Sequence, residues 1–385
     1  MNKLSLTISL LMLSVTVFSE GIPSASYYHE SALLQNSART RTDHHGGKLI
    51  AYITGSKPAP AAGDLVNAGY THIVVAYGVF STVTPGQIIP AFVNVTPEYI
   101  QSLQTAGIKV LLSLGGPSSN IVNTTTDFHA VLARVSDPQC FIEEFVNSMQ
   151  DMMRQYHFDG FDMAIEHGLS GSGSFTSPTG DIDVLARAMR DLHRKYPTVL
   201  LSLAPQMANI APTQQFLGTS GNYAALVMQT APILTWVGIQ LYNSGAYKGI
   251  DGRSYGLDDA NSPDAYVAMA SDLLENWPEK TRSGLSSGFQ PYSAYLAPSQ
   301  VVLGFSVANQ QGVSDGVPAA NVVTVKRAIT CLRTATVGRN SCRNYIAPRS
   351  YPNFGGVSAW ELSFDQDNHY RFAKDLKEML GIRKP

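Results

Sequence analysis

From residue 48 onward, eight short apolar runs alternate with longer amphipathic stretches, and this alternation limits the fold more than any other feature of the chain. The runs are Lys48–Thr54, His72–Phe80, Lys109–Leu114, Gly160–Glu166, Val199–Pro205, Val237–Tyr242, Val301–Val307 and Gly356–Glu361. Each is nearly all apolar, the pattern of parallel strands buried on both faces. The stretches between them have helical periodicity. One begins at Ser136, with Asp137 and Pro138 in its first turn, and puts Phe141, Ile142, Phe145, Val146, Met149, Met152 and Met153 on one face. Another runs from Asp181 to Tyr196 with Val184, Leu185, Ala188, Met189 and Leu192 as its stripe. Eight strand–helix repeats predict an α/β fold, a single (β/α)8 TIM barrel over residues 48–385. An open doubly wound sheet is the rival topology. It wants a Gly-rich phosphate turn after its first strand, and Thr54-Gly55-Ser56-Lys57 does not supply one. Ser/Gly-rich stretches at 168–180 and 284–288 read as loops.

The charge balance narrows the partners. Lys and Arg number 27 against 29 Asp and Glu, and charged residues make up only 15%. A chain this neutral has no electrostatic footprint for a nucleic-acid backbone. With 44% hydrophobic residues it has enough apolar material for a core. An uncharged or weakly charged substrate such as a neutral polysaccharide suits it.

Residues 1–21 read as a secretory signal: Lys3 is the positive region, and Leu4 to Phe18 is an apolar run too short to span a bilayer. Cleavage is expected after Ser19 or Gly21. Residues 22–47 are polar and read as a linker or pro-segment, with His44-His45 solvated rather than metal-binding. The expected destination is outside the cell, with no membrane span. Of three cysteines, Cys331 and Cys342 flank a polar loop and are expected to form a disulfide, while Cys140 is expected to be a buried free thiol.

In a barrel, reactive groups belong at the C-terminal ends of the strands. The fourth run ends Phe161-Asp162-Met163-Ala164-Ile165-Glu166. Strand side chains alternate, so Asp162, Ala164 and Glu166 face the barrel interior while Phe161, Met163 and Ile165 face the helices. Two acids in a barrel interior are costly unless hydrogen-bonded or protonated, which marks a site.

The octapeptide DGFDMAIE, residues 159–166, resembles DGxDxDxE, the signature of glycoside hydrolase family 18, the chitinase family. Other pieces resemble the family's motifs in the right order: Ser113-Leu114-Gly115-Gly116, Ala204-Pro205-Gln206, Gln240-Leu241-Tyr242-Asn243, and Gly355-Gly356 followed by Trp360. The resemblance implies a substrate-assisted, retaining hydrolysis of β-1,4-linked N-acetylglucosamine polymers, without metal or cofactor. A glutamic acid protonates the glycosidic oxygen, and the substrate's own N-acetyl carbonyl attacks the anomeric carbon to form an oxazolinium ion. Residue by residue, Glu166 matches the acid/base, Asp162 the inner aspartate, and Tyr242 the phenol that holds the acetamide carbonyl. Asp159 matches a structural position, and Trp360 the aromatic floor under the reacting sugar. Tyr52, Gln206, Met207, Gln240 and Asn243 complete the expected substrate contacts together with Ala164. Tyr77 and Phe80, with Tyr52, are either sugar platforms or plain core.

Ala164 departs from the pattern, which has aspartate there. That aspartate orients the acetamide and shares a proton with the acid. Its loss is expected to cost roughly 10²–10³ in rate. Ala164 is either an engineered replacement in a parent chitinase or a natural residue in a chitin-binding, lectin-like relative with little turnover. An endo-β-N-acetylglucosaminidase acting on N-glycans is a third reading. The stretch Val307–Gly355 leaves fewer than 50 residues, into which a separate domain barely fits, so a shallow, open groove and endo-type cutting are expected; a monomer is expected as well. Asn94-Val95-Thr96 and Asn123-Thr124-Thr125 are sequons.

Overall fold

A computed structural model describes residues 47–55, 57–169, 180–210, 223–257, 262–275 and 296–382. The leader at 1–21, most of the linker at 22–47, His44-His45, the loop at 284–288 and nearly all of that at 168–180 lie outside the described residues.

Eight parallel strands close on themselves: β1 Lys48–Ile53, β2 His72–Ser81, β3 Lys109–Gly116, β4 Gly160–Ile165, β5 Leu200–Leu203, β6 Trp236–Gln240, β7 Val301–Ser306 and β8 Gly356–Trp360. Each pairs with its sequence neighbour, and β1 pairs with β8 through Lys48 opposite Gly356, so the sheet is a barrel and not an open sheet. The helices of the outer ring are α1 Ala62–Ala68, α2 Pro97–Thr105, α3 Pro138–Tyr156, α4 Asp181–Lys195, α5 Tyr223–Thr230, α6 Asp264–Leu274, α7 Val322–Thr334 and α8 Arg371–Leu376.

Local chemistry sets where these helices start. Asp137 caps α3 by accepting from Gln139 N at 2.9 Å, with Pro138 in the first turn, so the helix begins two residues after Ser136. It stops at His157, which adopts a left-handed conformation. Phe141, Ile142, Phe145, Val146, Met149 and Met152 form its buried face. Cys140 lies off that stripe and is exposed, contrary to the expectation of a buried thiol. Its Sγ sits 3.7 Å from Asp137 Oδ2, and that carboxylate's charge pushes the thiol pKa up. Cys331 and Cys342 are joined in a disulfide.

Strand parity divides the apolar residues into two cores. Phe161, Met163 and Ile165 join the large layer between strands and helices. Ile50, Val74, Leu111, Trp236 and Val302 fill the inside of the barrel, with Ala164 and Ala204 at its upper edge. Between β7 and β8 the chain holds α7 and the disulfide loop and no separate domain.

Candidate active site

Asp162 is fully buried inside the barrel and is caught by three hydroxyls from three other strands. Ser202 Oγ donates to Oδ1 at 2.6 Å, Ser113 Oγ to Oδ2 at 2.9 Å, and Tyr52 OH to Oδ2 at 3.1 Å. Burial pushes this carboxyl's pKa up, and the three hydroxyls pull it back. At Asp159, just ahead of β4, the job is different. Its carboxylate accepts from Val110 N, Gln104 Nε2 and Lys109 Nζ at 2.8–2.9 Å and ties β3 and α2 to the start of β4.

Glu166 follows the last residue of β4 and is half-buried at the open end. Burial holds its carboxyl above the usual carboxylate range. The charge of His167 and a hydrogen bond from the Gln240 side chain pull the other way. Gln240 also donates from Nε2 to Ala204 O at 2.7 Å, which fixes the amide. The Tyr242 phenol is buried, and its pKa is driven far up, first by desolvation and then by the charges of Glu166, Asp162 and Asp315. It therefore stays a neutral O–H donor at any ordinary pH, beside a carboxyl biased toward its protonated form.

A cleft above the inner core is lined by Tyr52, Tyr77, Ala164, Gln240, Tyr242 and Trp360. Trp360 ends β8 half-buried. Its ring centroid lies 5.7 Å from that of Tyr52 and 5.9 Å from that of Tyr77. Gly116 makes room for Tyr77: its φ is +84°, and a Cβ there would come 2.8 Å from the tyrosine ring. Ala164 is 3% exposed and stands between Asp162 and Glu166 on the same face of β4.

Some expected contacts fall elsewhere. Met207 is fully buried in the outer core, because it opens a short helix after β5 whose apolar side turns inward, so it offers no surface to a ligand. Phe80 also packs in the outer layer, 5.5 Å from Phe128 between ring centroids. The cause is a bulge: Ala76 pairs with Ser113 and Gly78 with Leu114, leaving Tyr77 as the extra residue. Parity reverses there, which sends Tyr77 into the cleft and Phe80 away from it. Asn243 is exposed in a left-handed conformation, and its Oδ1 is occupied by Val317 N at 2.8 Å. Gln206 is half-buried and bridges to Gln240 along the backbone. Tyr52 lines the cleft, but its hydroxyl is committed to Asp162.

Three residues of the site carry no direct sequence signal for their role. Ser113 belongs to a glycine-rich strand end, which says nothing of its bond to Asp162. Ser202 sits at an inward position of β5 whose parity would have found it. Asp315, which accepts from Trp360 Nε1 at 3.1 Å, lies in a loop with no motif. Among the described residues no group of three or more His, Cys, Asp or Glu is placed to hold a metal ion. Nor, among those residues, is any helix long and apolar enough to cross a membrane.

The family model described as glycosyl hydrolases family 18 matches residues 48–319. The crystal structure of the Legionella pneumophila ChiA C-terminal domain is 53% identical, with a TM-score of 0.83, and the match covers 87% of this chain and 98% of that one. Exochitinase 1 of Streptomyces olivaceoviridis is 27% identical over 73% of this chain and 45% of its own length. Chitinase D of Niallia circulans is 27% identical over 82% and 58%. The chain thus spans about half the length of these two relatives. A closed barrel, a carboxyl kept toward its acid form at the end of β4 and a family match that runs through seven of the eight strands agree: the chain belongs to glycosyl hydrolases family 18.

Proposed function

We propose that this chain hydrolyses β-1,4-linked N-acetylglucosamine polymers, with Glu166 as acid and then base and the substrate's acetamide as nucleophile. The observation that carries the reading is that Glu166, held above the normal carboxylate range by burial, is hydrogen-bonded by Gln240 at the cleft wall and acts by its charge on the neutral Tyr242 phenol that lines the cleft. Glu166 gives its proton to the glycosidic oxygen. Tyr242 O–H donates to the acetamide carbonyl as that oxygen closes on the anomeric carbon. The leaving chain departs with the proton, and the Glu166 carboxylate takes a proton from the water that opens the oxazolinium ion. Trp360 supplies a flat apolar face for the pyranose. Asp162, its carboxyl oxygens held by three hydroxyl donors, supports the strand end.

Position 164 weakens this machinery. Alanine neither accepts from the acetamide N–H nor steers its carbonyl, which costs roughly 10²–10³ in rate. The same residue favours a second reading, a barrel retained for binding chitin oligomers with little turnover. Hydrolysis of N-acetylglucosamine oligomers by this chain and by Ala164→Asp separates the two. A rise of about a hundredfold or more on restoring the acid supports the hydrolase. Negligible turnover in both, with oligomers still bound, sinks it in favour of the lectin-like reading.

Endo-type cutting is part of the proposal and rests on the lack of an inserted domain between β7 and β8. The relatives' names divide between Exochitinase 1 and Endochitinase 4. Product lengths released from a long soluble chitin derivative would decide. We also infer secretion, from the leader-like residues 1–21. Sequencing the N-terminus of protein recovered from culture medium tests it.

A further inference from the structure

The loop between β7 and α7 touches three residues that line or flank the cleft, one at the end of β8 and two just past β6. Trp360 Nε1, at the end of β8, donates to Asp315 Oδ2 at 3.1 Å. The next residue, Gly316, lies against the Tyr242 ring beyond β6: a Cβ there would come 2.7 Å from Tyr242 Cδ2 and 2.9 Å from the Ser306 side chain. One residue on, Val317 N donates to Asn243 Oδ1 at 2.8 Å, and Val317 O accepts from Asn243 N at 2.7 Å. The loop is braced from within. Asn309 Oδ1 accepts from Gln311 N and Val313 N at 3.0 and 2.9 Å, and Ala320 N donates to Ser306 O at 2.7 Å.

Asp315 is exposed, and among the described residues its only hydrogen bond is the one to the indole. A sugar floor works only when its ring plane is fixed before the sugar arrives. Trp360 is half-buried, so packing alone grips one side of it. The carboxylate grips the other edge at the only polar atom of the ring.

We propose that Asp315 is a positioning residue of the sugar site. It fixes the indole plane of Trp360, while Gly316 and Val317 of the same segment hold Tyr242 and Asn243. One braced loop thereby sets the separation between the floor and the phenol. This rests on the carbohydrate reading of the cleft.

The test uses the full chain with 5-fluorotryptophan in place of its three tryptophans, Trp236, Trp277 and Trp360. The Trp360 fluorine line is assigned by its loss in Trp360→Phe. Asp315→Ala is expected to shift and broaden that line alone and to weaken binding of the N-acetylglucosamine pentamer about tenfold. Asp315→Asn keeps an acceptor for the indole, and is expected to keep the line narrow and restore most of the affinity. In the Trp360→Phe background, Asp315→Ala is expected to cost no more than about a further twofold. An unmoved Trp360 line in Asp315→Ala overturns the proposal. So does an undiminished tenfold loss in the phenylalanine background, since Asp315 would then act directly on the sugar or on the loop. If the pentamer binds no variant at all, the carbohydrate reading falls and takes the sugar-site role with it. The fluorine line would still report whether the tether exists, so the two failures are distinguishable.

Discussion

The lower and upper halves of the barrel interior are built from the same strands and yet obey opposite rules. Below, Ile50, Val74, Leu111, Trp236 and Val302 form a buried plug dominated by packing. Above, one or two residues further along those strands and their neighbours, the same inward face carries Tyr52, Ser113, Asp162 and Ser202, and then Glu166 and Tyr242 at the mouth. The plug gains free energy from burial. The upper half accepts a desolvation cost, which raises the pKa of a carboxyl and of a phenol. One strand face can hold both only because the polar groups satisfy one another where water is excluded.

This contrast can be broken at several points. The largest effect is expected above. Glu166→Gln, made in the Ala164→Asp chain so that turnover is measurable, should lower hydrolysis by roughly 10²–10⁴ without lowering the unfolding midpoint. A midpoint that falls with the rate would make Glu166 part of the scaffold. Below, Trp236→Ala should cost about 3–5 kcal/mol in urea or thermal unfolding, since it empties the centre of the plug. Asp162→Ala lies on the boundary. It leaves three buried hydroxyls without their acceptor and should cost about 2–3 kcal/mol. Asp162→Asn, which still accepts, should cost less, and equal losses in both would remove the hydroxyl cage from the explanation.

The smallest effect is a shift in pH dependence. The charge of His167 lowers the Glu166 pKa. In His167→Gln the Glu166 pKa therefore rises, the acid stays protonated to higher pH, and the falling basic limb of the rate profile moves up. Restoring aspartate at 164 adds a like charge beside Glu166 and should move that limb in the same direction. A limb that stays put in both variants would mean another group controls it.

The barrel and the ends of its strands were legible in the sequence because both rest on local signals. Continuous apolar runs mark strands buried on both sides, and period-2 parity sorts Asp162, Ala164 and Glu166 from Phe161, Met163 and Ile165. The misplaced residues have separate causes, some local and some non-local. The bulge at Tyr77 breaks the parity and reassigns Phe80. Met207 sits one residue past a recognised motif, where the chain has already turned into a helix. Cys140 precedes the apolar stripe of α3 by one position, and a rotation of 100° carries it to solvent. Asp315 has no pattern around it, because its partner is an indole on a different strand.

Barrel closure has a consequence for how the molecule comes into being. The first strand finds its second neighbour only when Lys48 meets Gly356, almost at the far end of the described chain. Long-range pairing of this kind must wait until the intervening residues are ordered. The strand that completes the ring also delivers Trp360. On the proposed reading, a chain cut short during synthesis lacks both its last staves and the floor on which a sugar would rest. Closure of the ring and competence of the site are then a single event.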